Sequence, residues 1–199
     1  MQRRIFLLAA GAAVSLSAVP AFAANPAEDF VASNIQAGFD ILNDKSLSAD
    51  ARKTRFASFL LGLTDVKRVA LFLLGKYAAA LSPADIDAYI AAYQDYVLAV
   101  YQSYFARYAG QSLKLVSSRE RAAGDFVVTT QMTGANAAPI EIDFRVRTDG
   151  AKPALVDLGV AGIWLALAQR EQFNAVLASN NGDVKALISN LRQTENLYR

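Results

Sequence analysis

The stretch LVDLGVAGIWLALAQREQF, residues 155–173, decides the fold, because it admits three readings. From Leu155 to Ala168 its only charge is Asp157, and it carries the only Trp of the chain, Trp164. Such a run can be a membrane span, a strand passing into a helix, or the wall of an apolar pocket. A span needs roughly 20 unbroken apolar residues, and Gly159 and Gly162 interrupt this one. It therefore reads as a strand entering a helix.

Upstream, the period of the apolar residues is two. PIEIDFRVR (139–147) alternates Ile140, Ile142, Phe144 and Val146 with Glu141, Asp143, Arg145 and Arg147. That is a strand dry on one face and wet on the other. SLKLVSS and DFVVTTQMT read as two more strands around Gly124-Asp125, and ALVDLGV reads as a fourth after Asp149-Gly150.

Before residue 110 the period is helical. Asn25-Pro26 is a cap followed by a first-turn proline, and Val31, Ile35, Gly38 and Leu42 share a face behind it. NDKSLSAD breaks this helix and opens a second, which carries Phe56, Phe59, Leu60 and Leu63. TDVKRVALFLLGKY reads as a third, with Thr64 as cap and Gly75 near its end. SPAD (82–85) is a capping box opening a long helix to about Tyr108, with Ile86, Ile90, Tyr93, Val97, Val100 and Tyr104 on one face. Two further helices, Trp164–Leu177 and Val184–Arg192, close the chain around SNNGD. The expected fold is α+β: N-terminal helices packed on a roughly four-stranded antiparallel sheet, then C-terminal helices, with an apolar cavity between helices and sheet.

The first 23 residues read as an export leader. Arg3 and Arg4 precede the apolar run Ile5–Val19, and Ala21-Phe22-Ala23 is a small-x-small cleavage signal. Either the general secretory or the twin-arginine route fits RRIFL. Residues 24–199 are then one domain. Without Arg3 and Arg4, Lys+Arg falls from 20 to 18 against 18 Asp+Glu, so the mature chain is neutral and lacks the basic stripe of a nucleic-acid binder.

The chain has no His and no Cys. The usual general base, the Ser-His triad, thiol chemistry and zinc-thiolate sites go with them. No Gly-rich phosphate loop is present, so no metal, cofactor or catalytic set is assigned. The acidic pairs Asp85/Asp87 and Glu141/Asp143 read as a helix's first turn and a solvated strand face. Tyr89, Tyr93, Tyr96, Tyr101, Tyr104 and Tyr108 all fall in the long helix. They serve either as amphipathic core residues or as cavity lining. A third reading is a cone-shaped fold with a Tyr/Asp acid-base site like that of ketosteroid isomerases, with Asp157 as the acid.

Three segments together resemble the MlaC/toluene-tolerance family of periplasmic lipid-binding proteins. They are RVALFLLGKYAAALSPADIDAYIAAYQDYVLAVY, PIEIDFRVR and VDLGVAGIWLALAQREQFNAVLASNNGDVKALISNLR. Their order and spacing carry the likeness, over about Phe56 to Arg192. The chain departs from the family pattern at Ala78, often Trp, at Ala161, usually acidic, at Ile163-Trp164, commonly Val-Ser, and at Gln169, a Tyr. The hopanoid-associated, HpnM-like branch is therefore an alternative for the ligand. The resemblance implies a carrier of phospholipid or a hopanoid-type lipid. It would work between an inner-membrane ABC transporter complex and an outer-membrane lipoprotein complex. Tails are expected among Leu73, Tyr93, Val97, Tyr101, Leu115, Val128, Ile142, Phe144 and Trp164, with LGVAGIWLAL as pocket wall and Trp164 near the entrance. The alternatives are a small-molecule enzyme on a cone-like fold and an interaction module without a cavity.

Overall fold

The computed structural model describes residues 25–105, 110–134 and 137–198. Four helices come first: α1 (Pro26–Asn43), α2 (Ala49–Leu63), α3 (Val66–Leu74) and α4 (Pro83–Phe105), with a 3-10 turn, Gly75–Ala80, before the last. Strands β1 (Ser112–Ala122), β2 (Asp125–Gly134), β3 (Ala137–Arg147), β4 (Ala154–Val160) and β5 (Ile163–Trp164) form an antiparallel meander in chain order. Helices α5 (Leu165–Ser179) and α6 (Val184–Tyr198) follow. The fold is α+β as expected, with a fifth strand beyond the four. It is only two residues long, too short for alternation to register, and a two-residue turn folds it back on β4. In that turn Ala161 (φ 49°) and Gly162 (φ 82°) both take the left-handed conformation, as a tight primed hairpin requires.

The helix boundaries follow local chemistry. Asn25 Oδ1 accepts the Ala27 N–H at 2.9 Å while its Nδ2 donates to Ser118 Oγ at 3.0 Å, so the cap of α1 also ties it to β1. Ser82 Oγ accepts the Asp85 N–H at 3.1 Å and donates to the Asp85 carboxylate, as the SPAD motif demands. The cap of α3 is Asp65, not Thr64: Asp65 Oδ1 accepts the Arg68 N–H at 3.1 Å. Thr64 instead donates to Leu60 O, spending its hydroxyl on the preceding helix. The part of the long helix expected beyond Phe105 lies outside the described residues, as does the leader. Among the described residues no helix is long and apolar enough to cross a membrane.

Two cores result. Ala27 and Val31 of α1 pack with Phe30 and Ile35 onto one sheet face, against Phe126, Val128, Phe144 and Val146. The larger core joins α3, α4, α5 and α6 around Leu73, Leu74, Tyr89, Phe173, Leu177 and Leu187. Strand β4 is the seam between sheet and helices. Its Val156 packs on the helical core, and Leu155 O accepts the Asp65 N–H at 3.2 Å.

The other face of the strands carries charges in cross-strand pairs. Asp125 accepts from Arg145 Nε at 3.0 Å and Nη2 at 2.8 Å, and Arg147 reaches the same carboxylate at 3.6 Å. Arg147 and Arg68 both donate to Asp149. The Arg145 hydrogen bonds, more than any other cause, hold the Asp125 carboxyl below its usual range. A depressed native pKa stabilises the fold above the unfolded value, and that stabilisation is lost as pH falls through the native value. The urea midpoint of Asp125→Asn should therefore fall below wild type by a constant amount at neutral pH. The gap should close below about pH 4. A gap unchanged down to pH 2 would remove the ion pair from the stability of the sheet.

Candidate functional site: a cavity between α4, α5 and β4

A cavity of about 300 Å³ lies where α4 and α5 meet the seam strand. Helix α4 supplies Tyr93, Tyr96, Val97, Val100 and Tyr101, one face at spacings of three and four. Strand β4 gives Val156, Asp157 and Leu158, and α5 gives Leu165, Ala168 and Gln169. Leu61, Val66 and Val69 close the side toward α2 and α3, and Tyr198 reaches in from α6. A larger depression between α5 and α6 is open to solvent and carries Ser179, Asn180, Ser189 and Gln193. It withdraws little apolar surface from water, so the deeper, less open cavity is the better candidate for a ligand.

The polar groups of the cavity are few and ordered. Tyr93 Oη donates to Gln169 Oε1 at 3.2 Å, and Gln169 Nε2 donates to Tyr96 Oη at 3.4 Å. Tyr93 also packs edge-on to Phe173, with centroids 6.2 Å apart. Burial pushes the Tyr101 hydroxyl up to about 12, with the Asp157 charge adding to it, and burial raises Tyr93 well above its ordinary value. These phenols therefore stay neutral at any physiological pH and act as hydrogen-bond donors, not as bases.

Asp157 has a structural task. Its Oδ1 accepts the N–H of Leu158 at 2.8 Å and of Ala166 at 2.9 Å. The second bond satisfies a first-turn amide of α5, whose N-cap residue, Trp164, offers no side-chain cap. A strand carboxylate thus caps the next helix, where the helix dipole favours negative charge. Burial raises its pKa, opposed by the two amides and by the nearby Arg145 charge. Among the described residues no cluster of acidic side chains could hold a metal ion.

Of the nine side chains expected to hold tails, the structure brings Tyr93, Val97 and Tyr101 together in this cavity. Leu73 is fully buried in the helical core. Val128 and Phe144 lie under α1. Ile142 is half-buried on β3 opposite Thr130, and Leu115 is exposed on β1. Trp164, half-buried, stands opposite Gly159 in the β4–β5 pair, with its ring against that glycine. The LGVAGIWLAL wall is represented by Leu158, Leu165 and Ala166. Sequence reasoning noted Gln169 only as a departure from the family pattern, and placed neither it nor Ala168 nor Val156 in the wall. The first two lie one helical turn beyond Leu165, which is the signal that would have found them.

The model of the family described as MlaC protein matches residues 32–193 of this chain. Among solved structures, a phospholipid-binding protein from Ralstonia solanacearum, determined in complex with a phospholipid, superposes with a TM-score of 0.70. It is 18% identical, and the match covers 87% of this chain and 96% of that one. No curated protein sequence matches. The family match spans the meander, the larger helical core and nearly all of the cavity lining, and on it the chain belongs to the MlaC protein family.

Proposed function

We propose that this chain is a periplasmic lipid carrier that encloses acyl chain in the cavity between α4, α5 and β4. The observation that carries the reading is a half-open, mostly apolar cavity with neutral phenols at its wall. The likeness to a phospholipid-binding protein of the same fold supports it. Exposing acyl chain to water costs about 0.8 kcal/mol per methylene. Two chains of sixteen carbons would carry roughly 25 kcal/mol on that figure, so free lipid does not cross an aqueous compartment. A carrier supplies the missing apolar surroundings. Because membrane and cavity are both apolar, transfer between them is nearly balanced, and direction comes from the docking partners.

In this reading residues 1–23 are cleaved on export and residues 24–199 are the lipid-binding domain. Its partners are an inner-membrane ABC transporter complex and an outer-membrane lipoprotein complex, with no reaction catalysed in the chain. A space of about 300 Å³ holds on the order of ten water-sized groups. Two full acyl chains exceed that, so the cavity walls must part to take both. Incubation with vesicles of radiolabelled phospholipid, followed by size separation, should move label into the soluble protein fraction. Label that stays wholly with the vesicles would contradict the carrier reading.

A further inference from the structure

Exposed apolar side chains gather at the cavity mouth. Eight large apolar residues are exposed among the described residues, and five of them sit on two short segments: Ile163, Leu165 and Leu167, and Leu197 with Tyr198. Leu165 and Tyr198 also line the cavity, so the two segments meet at its rim. Ile163 (61% exposed), Leu167 (50%) and Leu197 (84%) lie beside them in the chain and outside the wall. Single exposed apolar residues are ordinary, but a gathered set marks an interaction surface.

The chemistry of this tip suits hydrocarbon better than a protein partner. From Leu158 to Gln169 the chain carries no charge. The charges that bound the tip are engaged elsewhere: Asp157 caps α5, and the Arg170 guanidinium lies 4.7 Å over the Phe72 ring. A protein interface wants a polar rim, and this segment offers no charge to pair. Backbone amides entering lipid must be satisfied from within the protein. Here the Ala161 N–H donates to Glu141 O at 3.0 Å and the Ala166 N–H to Asp157 Oδ1 at 2.9 Å. Trp164, half-buried in the same tip, is a residue type favoured at the membrane–water boundary.

We propose that the β4–β5 turn and the first turn of α5, with Leu197 beside them, seat in the surface of a lipid bilayer. A tail then passes between membrane and cavity without meeting water. The inference rests on the carrier reading above and adds its route of entry. The surface is an uncharged or zwitterionic one, because the tip lacks the Lys and Arg that anionic headgroups select. Seating eases entry and exit alike, so it changes the rate of exchange and not the final distribution of lipid.

The test follows labelled phosphatidylcholine from protein-free phosphatidylcholine vesicles into protein purified from the periplasm. Wild type is compared with Ile163→Gln/Leu167→Gln and with Val116→Gln, which removes an exposed apolar side chain from β1 at the opposite edge of the sheet. The double variant should load about tenfold more slowly or worse, because two apolar side chains no longer leave water. Its final loading should stay that of wild type, since neither residue lines the cavity. Val116→Gln should load as wild type does. Added salt or phosphatidylglycerol should change the wild-type rate by less than about twofold, because no charge pairing is involved. Circular dichroism checks the fold, and Leu197→Gln, at a still more exposed position, repeats the test if the double variant fails to fold. A folded variant that loads at the wild-type rate overturns the bilayer contact and leaves the patch to a protein partner. Equal slowing in Val116→Gln, or a wild-type rate that depends on anionic lipid, overturns it too. Wild type that never loads overturns the carrier reading itself.

Discussion

Val97→Trp should leave the protein folded and nearly free of lipid. Val97 sits mid-face on α4, half-buried, with cavity on one side and the helical core on the other. An indole there projects into a space of about 300 Å³ and takes a large part of it. Because the space already exists, the larger side chain need not displace packed neighbours, the usual source of overpacking strain of about 1–3 kcal/mol. Lipid recovered with the protein should drop about tenfold or more, while the far-ultraviolet circular dichroism stays that of wild type. That fold-change corresponds to about 1.4 kcal/mol or more of lost binding. Ala168→Phe approaches the same space from α5 and should act alike. Full lipid content in a folded Val97→Trp protein would place the ligand elsewhere.

Leu73→Ala should do the reverse, with a large loss of stability and little loss of lipid affinity. Leu73 is fully buried among α3, α4, α5 and α6 and does not line the cavity. Its backbone carbonyl also accepts from Asn174 Nδ2 at 3.0 Å, which fixes α3 against α5. Truncating a leucine in such a setting costs about 2–5 kcal/mol, the transfer of the lost methyls plus the void they leave. For a chain of this size the melting temperature should fall by several degrees, at about 2–4 °C per kcal/mol. Calorimetry reads the first effect and probe displacement well below the new midpoint reads the second. A variant as stable as wild type would mean that the helical core is not packed around Leu73.

The order and type of the elements were legible because the signals are local. SPAD opens α4 and Asn25-Pro26 opens α1 through side-chain to backbone bonds within three residues. Strict alternation marks β3, and its charged face carries cross-strand ion pairs, although Asp125 and Val127 opposite it are buried. Alternation says which residues share a face, however, and not which helix covers that face. Phe144 shares its face with Val146 as expected, and Val128 joins them, but the element laid on that face is α1. The cavity lies beyond β4 instead, reached through Val156 and Asp157. A register shift between Arg145 and Val146 re-aims β4 toward the helices, and nothing in the sequence announces it. The capping of α5 by Asp157 was equally hidden, since donor and acceptor are nine residues apart across a hairpin. Tyr93, Val97 and Tyr101 were legible because their spacing on one helix is itself the geometry of the wall.

The central claim is that the chain carries lipid in this cavity, and native mass spectrometry of protein purified from the periplasm without detergent tests it most directly. The expected spectrum shows a stoichiometric adduct that releases a lipid and is absent from Val97→Trp. A two-chain phospholipid would fix the ligand class, and a hopanoid or other polycyclic lipid would assign the alternative branch. Protein that is empty as purified, and still empty after incubation with vesicles, would contradict the account.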